Sequence, residues 1–176
     1  VFHGAGREDV DARMLGTGRP FVLEVKRPTI RTPDVETLER EINDAANGVE
    51  VTGLRLATYE MVERVKELDA SKRYRATVAF DAPVTASALD AALAELDGTT
   101  IDQHTPNRVD HRRAALTRER TVYEATGSLE EPTRAECEFH CAGGLYVKEL
   151  VSGDEGRTDP NLAALLDTGA TVTALD

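Results

Sequence analysis

The chain has 176 residues, 40% of them apolar and 30% charged, and a net charge of −11 at neutral pH. That length suits one domain, the apolar share is too high for a disordered chain, and no run of eighteen apolar residues exists to span a membrane. Two cysteines make no disulfide framework, and "VFHGAGRED" lacks both the basic start and the apolar core of a signal peptide, so a cytoplasmic protein is expected.

The acidity is a poor guide to partners. Four lysines (Lys26, Lys66, Lys72 and Lys148) stand against seventeen arginines. With abundant Asp, Glu, Ala, Thr and Val, this bias resembles the composition of proteins that work in concentrated salt. At about 1 M salt the Debye length is only about 3 Å, so mean charge matters little beyond contact distance and local clusters choose partners.

In chain order, residues 8–15 and 20–27 read as strands around the turn "GTGRP". Within "GREDVDARMLG", an extended strand puts Arg7, Asp9, Asp11 and Arg13 on one face and Val10, Ala12 and Met14 on the other. That face is either a solvated, cross-neutralised strand surface or a reactive carboxylate kept ionised by arginines. A hydrolase built on Asp9 and Asp11 is disfavoured, because two carboxylates on one strand would each need partners across a cleft.

"TPDVETLEREINDAANG" predicts a helix with Thr32 as N-cap, Pro33 at the first helical position and Val35, Leu38 and Ile42 on one face. "VEVTGLRLA" reads as a strand, and "TYEMVERVKELD" as a helix with Met61, Val65 and Leu68 inward. "KRYRATVAF" alternates Tyr74, Ala76, Val78 and Phe80 against polar positions, a half-buried strand. "TASALDAALAELDG" is a helix with Leu89, Leu93 and Leu96 inward and Gly98 closing it.

Strands are expected at 98–104, 112–125 and 134–141, a short helix in "GGLYVKELVSGDEG", another in "DPNLAALLDTG", and a last strand in "ATVTALD". A strand through "CEFHC" turns Cys137 and Cys141 one way and His140 the other. A closed zinc site needs four convergent ligands, so no metal is expected there. Strands and helices mix without a strict βαβ period, which predicts an α+β fold around one mixed sheet.

One stretch departs from the acidic bulk. "TPNRVDHRRAALTRER", residues 105–120, holds Arg108, Arg112, Arg113, Arg118 and Arg120 against only Asp110 and Glu119. It is either an arginine-laced strand pair neutralising acidic neighbours or a phosphate-contacting surface, since guanidinium forks bind phosphate bidentately.

Taken together and in order, "GREDVDARMLGTGRPFVLEVKRP", "KRYRATV", "TPNRVDHRRA" and "GGLYVKELVSGDEGRTDPNL" resemble the tRNA pseudouridine synthases shared by archaea and eukaryotes that modify the T-loop. The G-R-x-D core alone is weak; the joint occurrence of the long first and last motifs is specific, and the resemblance spans essentially the whole chain. It implies the pseudouridine synthase fold, one mixed, mostly antiparallel sheet flanked by helices, acting as a monomer on the T-arm of tRNA, at positions 54, 55 or both, without a cofactor.

The resemblance also implies roles for single residues. Asp9, closing G-R-x-D, is the catalytic carboxylate; Lys148 is its cationic partner; Tyr74 lies against the uracil and is placed to move a proton from the ribose. Arg7 holds the motif loop or flips the target nucleotide, Leu175 floors the base pocket, and Arg108, Arg112 and Arg113 grip the RNA backbone. The family carries an N-terminal accessory region with zinc-binding cysteines, whereas this chain begins at the first motif, so residues 1–176 are expected to be the catalytic domain alone. The competing expectation is a tRNA-binding or folding module that has lost catalysis.

Overall fold

The structure is a computed structural model; it describes residues 1–6, 12–68 and 70–176, without the side chain of Arg112. The chain divides into two compact units: the described parts of 1–7 and 19–68, and those of 8–18 and 69–176.

In the first unit, β1 (Phe2–Gly4) pairs antiparallel with β2 (Phe21–Leu23), and the Phe2 and Phe21 rings stack with centroids 5.4 Å apart. Helix α1 (Val35–Ala45) starts two residues later than the Thr32 cap predicts. Asp34 is the cap, because its carboxylate accepts from the Glu36 and Thr37 N–H groups. The Thr37 hydroxyl, which also donates to this carboxylate, and then those N–H groups hold the Asp34 carboxyl below its ordinary pKa. Helix α2 (Tyr59–Glu67) buries Val62 and Val65, while Met61 is half-buried and Leu68 exposed, so the inward stripe is rotated from the expected one.

The strand expected at 49–57 does not form. The backbone there is held by α1 side chains instead: the Asn43 amide exchanges two bonds with Val51, at 2.9 and 2.7 Å, and Glu39 accepts from the Leu54 N–H at 2.7 Å. Once side chains satisfy its polar backbone, the segment needs no strand neighbour.

The second unit is built on a six-stranded sheet. Its strands are β3 (Lys72–Phe80), β4 (Thr100–His104), β5 (Thr117–Glu131), β6 (Arg134–Cys141), β7 (Thr158–Asp159) and β8 (Ala170–Leu175), in the order β7-β4-β5-β6-β3-β8. Among the described residues every ladder is antiparallel, and the mixed character predicted comes down to one parallel bridge, between Ala12 and Leu175. Of the strand expected at 8–15, the described part contributes only that bridge. Helices α3 (Ala86–Leu96), α4 (Val147–Ser152) and α5 (Leu162–Leu166) complete the unit.

The core follows the predicted alternation. Ala76, Val78 and Phe80 from β3 and Ala135, Cys137, Phe139 and Cys141 from β6 are buried with Leu89, Leu93 and Leu96 of α3. The opposite face of β3 and β6 presents Arg73, Arg75, Glu136 and Glu138 to solvent, with Arg73 paired to Glu124 and Arg75 to Glu138. Strand β5 begins five residues later than expected, because residues 105–116 close on themselves. The Thr105 N–H bonds Leu116 O at 3.0 Å, its hydroxyl bonds Ala114 O at 2.6 Å, and a 3-10 turn spans Asn107–Arg112 between them.

Gly127 sits where α3 meets β5. A Cβ there would lie 2.8 Å from the Glu136 carbonyl oxygen, 3.0 Å from Leu93 Cδ1 and 3.1 Å from Cys137 Sγ. Gly127→Ala is therefore expected to cost about 1–3 kcal/mol of stability, read as a lower denaturation midpoint. Burial raises the Cys137 and Cys141 thiols to about 12 from 9.0. The unfolded chain then binds fewer protons than the folded one between those values. Stability is fully present below pH 9 and is expected to fall as pH rises toward 12. Cys137→Ala with Cys141→Ala should flatten that alkaline loss in pH-dependent unfolding.

Candidate active site

Of the residues expected at the site, Arg7, Asp9 and Asp11 lie outside the described residues, as does the side chain of Arg112. The others can be placed. Leu175 is buried at the end of β8, opposite Ala76 of β3 and bridged on its other side to Ala12, with the Arg13 N–H donating to Leu175 O at 3.0 Å. The ladder continues one residue further, where Arg75 and Asp176 exchange backbone bonds of 3.0 and 2.9 Å.

Tyr74 is two residues before Ala76 and so on the same face of β3. It is half-buried and packs against the core cluster that contains Leu175, as does Ala12. The polypeptide leaving the first motif, the Tyr74 strand and the Leu175 strand thus meet at one end of one sheet face.

Helix α4 carries Lys148, half-buried, between buried Val147 and Glu149, and packs against β8. The start of this helix is clamped to the sheet. The Gln103 side chain of β4 accepts from the Tyr146 N–H at 2.8 Å, donates to Tyr146 O at 3.1 Å and reaches Thr158 Oγ1 at 3.2 Å. At the other end Gly153, with φ +80°, closes α4; a Cβ there would strike the Asn161 amide at 2.8 Å. Asn161 also caps α5 through the Ala164 N–H.

Glu149 is only 4% exposed, and Arg108 answers its charge through a fork: Nε to Oε1 at 2.5 Å and Nη2 to Oε2 at 3.2 Å. The Arg108 guanidinium also lies 5.5 Å from the centre of the Tyr146 ring. One residue earlier, the Asn107 N–H donates to Asp154 Oδ2 at 2.9 Å. The arginine-rich loop is therefore strapped to the Lys148 helix through Glu149 and to the turn after it through Asp154. Arg113 is exposed on that loop.

Gln103, Asn107, Glu149 and Asp154 were not singled out by sequence reasoning. Each reads locally as an ordinary polar residue, and its partner lies more than forty residues away.

The Cys137–His140–Cys141 arrangement is as the alternation predicts: both thiols are buried, while His140 is on the outer face beside Tyr123 and bonded to Ser71. Among the described residues no three His, Cys, Asp or Glu side chains group as metal ligands, and no helix is long and apolar enough to cross a membrane.

With this geometry in hand, the comparison with known proteins is direct. The model of the family described as Pus10, C-terminal, matches residues 1–176. The chain belongs to that family. It is 68% identical over 177 residues to a protein of Halorubrum lacusprofundi and 50% identical over 177 residues to one of Methanothrix thermoacetophila, both called tRNA pseudouridine synthase Pus10. Each alignment covers all of this chain but only 42% and 39% of the relative, so the chain spans well under half of their length.

Among solved structures, a chain of a Cbf5–Nop10–Gar1 complex superposes with a TM-score of 0.51 over 61% of this chain and 30% of its own, at 23% identity. That likeness is one of fold, and the fold is the pseudouridine synthase fold, as the motifs implied. The Halorubrum relative also agrees with the salt-adapted composition.

Removing Arg108 would leave the Glu149 carboxylate buried without this partner. Arg108→Ala is expected to cost about 2–3 kcal/mol, discounted from the fully buried case because the arginine is one-third exposed. Arg108→Met combined with Glu149→Leu should cost less than Arg108→Ala alone. Denaturant unfolding in concentrated potassium chloride measures both.

Proposed function

We propose that residues 1–176 form the catalytic domain of a tRNA pseudouridine synthase that converts uridine to pseudouridine in the T-loop, at position 54, position 55 or both. The observation that carries this reading is that Tyr74 and Leu175 pack in one cluster at the strand that Ala12, three residues along from Asp9, bridges, and that the Lys148 helix packs against that same strand. Membership of the Pus10 C-terminal family supports it, as do the names of the relatives.

The reaction is an isomerisation. The bond from ribose C1′ to uracil N1 breaks, the base turns, and C1′ joins C5; C5 loses a proton and N1 gains one. Nothing is oxidised or consumed, so no cofactor is called for. Asp9 acts on the sugar, with a glycal-type intermediate favoured, and must be ionised to do so. By the resemblance, the Lys148 ammonium is the cation that keeps it charged against desolvation. The Tyr74 ring supports the extruded uracil, and its hydroxyl serves proton transfer from the ribose. Leu175 gives the pocket an apolar floor.

A stacked, paired base cannot be rearranged, so the target uridine must leave its stack, and Arg7 is placed by its motif to help hold the loop in which this happens. Arg112 and Arg113 contact the RNA backbone directly. Arg108, bonded to Glu149, serves the RNA by holding their loop in place.

Asp9→Asn is expected to abolish pseudouridine formation on an unmodified tRNA transcript, read by carbodiimide modification and primer extension, while tRNA binding stays within a few-fold of wild type. Full conversion by this variant would remove Asp9 from the site. Tight tRNA binding by the wild-type chain with no conversion under single-turnover conditions would point instead to a binding module.

A further inference from the structure

The arginines of the second unit divide by what they touch. Arg73, Arg75, Arg108 and Arg134 each meet a glutamate. Three half-buried arginines, Arg118, Arg120 and Arg157, meet no carboxylate among the described residues, in a chain with 32 acidic side chains to offer. Among the described residues they bond neutral oxygens.

Two of the three converge. Arg118 Nη1 donates to Thr105 Oγ1 at 3.0 Å and to Leu116 O at 3.3 Å. Arg157, which arrives from the turn after α4, donates from Nη1 to Thr105 O at 3.4 Å. Both guanidiniums therefore end on Thr105, itself only 1% exposed.

Arg120 shares the Arg118 face of β5, one ladder position along, where the two oppose Ile101 and Gln103 of β4. Among the described residues its Nη1 reaches only the neighbouring Glu119 carbonyl, at 2.7 Å, and its buried Nε has no partner. Gly144, four residues before Lys148, lies against that guanidinium: a Cβ on Gly144 would sit 3.5 Å from Arg120 Nε.

Two like charges drawn onto one residue repel each other, and half-burial weakens the solvent screening that would relieve them. A guanidinium carries five donors in a planar fork suited to phosphate, and among the described residues each of these three bonds through Nη1.

We propose that Arg118 and Arg157 clasp one phosphate of the RNA backbone above Thr105, and that Arg120 extends this track toward the Lys148 helix. The proposal rests on the RNA-substrate reading and adds to it Arg157, a residue outside the arginine-rich loop. It also explains how a chain of net charge −11 holds a polyanion in concentrated salt. Pre-oriented, half-buried guanidiniums keep their contacts where exposed lysines lose theirs, and the weak hydration of arginine favours direct contact.

The test is binding of a T-arm stem-loop RNA to the intact chain, by fluorescence anisotropy over a series of potassium chloride concentrations, with single-turnover conversion in parallel. Arg118→Ala and Arg157→Ala should each weaken binding about ten-fold. The double variant should add little more, because both remove the clasp on one phosphate. The slope of log K against log salt should flatten by about one phosphate contact. In the conversion assay the loss should appear as a higher RNA concentration for half-maximal conversion, and Arg118→Lys should recover part of the affinity.

Circular dichroism melts confirm that each variant is folded. A folded double variant with wild-type affinity and salt slope would overturn the proposal, as would equally tight binding of polyglutamate, which would assign the arginines to an acidic protein partner. Weakened binding and a flattened slope in variants of a chain that converts no uridine would uphold the clasp and refute the catalytic reading.

Discussion

The fork between Arg108 and Glu149 is the interaction on which the arrangement around α4 depends. A carboxylate one residue beyond Lys148 is almost wholly removed from water, and burying such a charge is unfavourable unless a cation meets it with good geometry. The cation comes from a loop with little regular structure beyond one 3-10 turn. The pair therefore fixes two things at once, the seat of the helix and the path of the loop. The two-way bonding of Gln103 with Tyr146 and the Asn107–Asp154 contact act in the same direction. A short helix with few intrahelical bonds is held mainly by such tertiary contacts.

Charge in this molecule is sorted by depth. The outer face of β3 and β6 carries exposed arginine–glutamate pairs, which in salt contribute little to stability and serve mainly as a solvated surface. Below that level lie Glu149 with Arg108, and the group of Arg118, Arg120 and Arg157 bonded to neutral oxygens. Charges withdrawn from solvent are screened by salt less than exposed ones, so this inner set keeps more of its electrostatic interaction in concentrated salt.

The sheet was readable where local pattern and tertiary environment agree. Tyr74, Ala76, Val78 and Phe80 alternate because one face of β3 meets the core, and Leu89, Leu93 and Leu96 recur because one side of α3 covers it. Where long-range contacts satisfy the backbone, pattern failed. Asn43 and Glu39 hold the stretch that reads as a strand at 49–57, and Thr105 turns residues 105–116 away from β5. Phe21–Leu23 falls within the strand expected at 20–27, but its partner Phe2–Gly4 was missed, because three residues are too few for a period to show.

By itself the sequence determined the family, the identities of the residues expected to do chemistry, and the elements long enough to show a period of two or of 3.6. All of these are local properties of the chain. Tertiary structure alone decided that Leu175 lies between Ala12 and Ala76, that Arg108 is bonded to Glu149, and that Arg118 and Arg157 end on the same threonine. The reason is physical. Whether an arginine neutralises a buried carboxylate or is left to meet an outside anion depends on which groups the folded sheet brings within about 3 Å of it. No spacing along the chain carries that information.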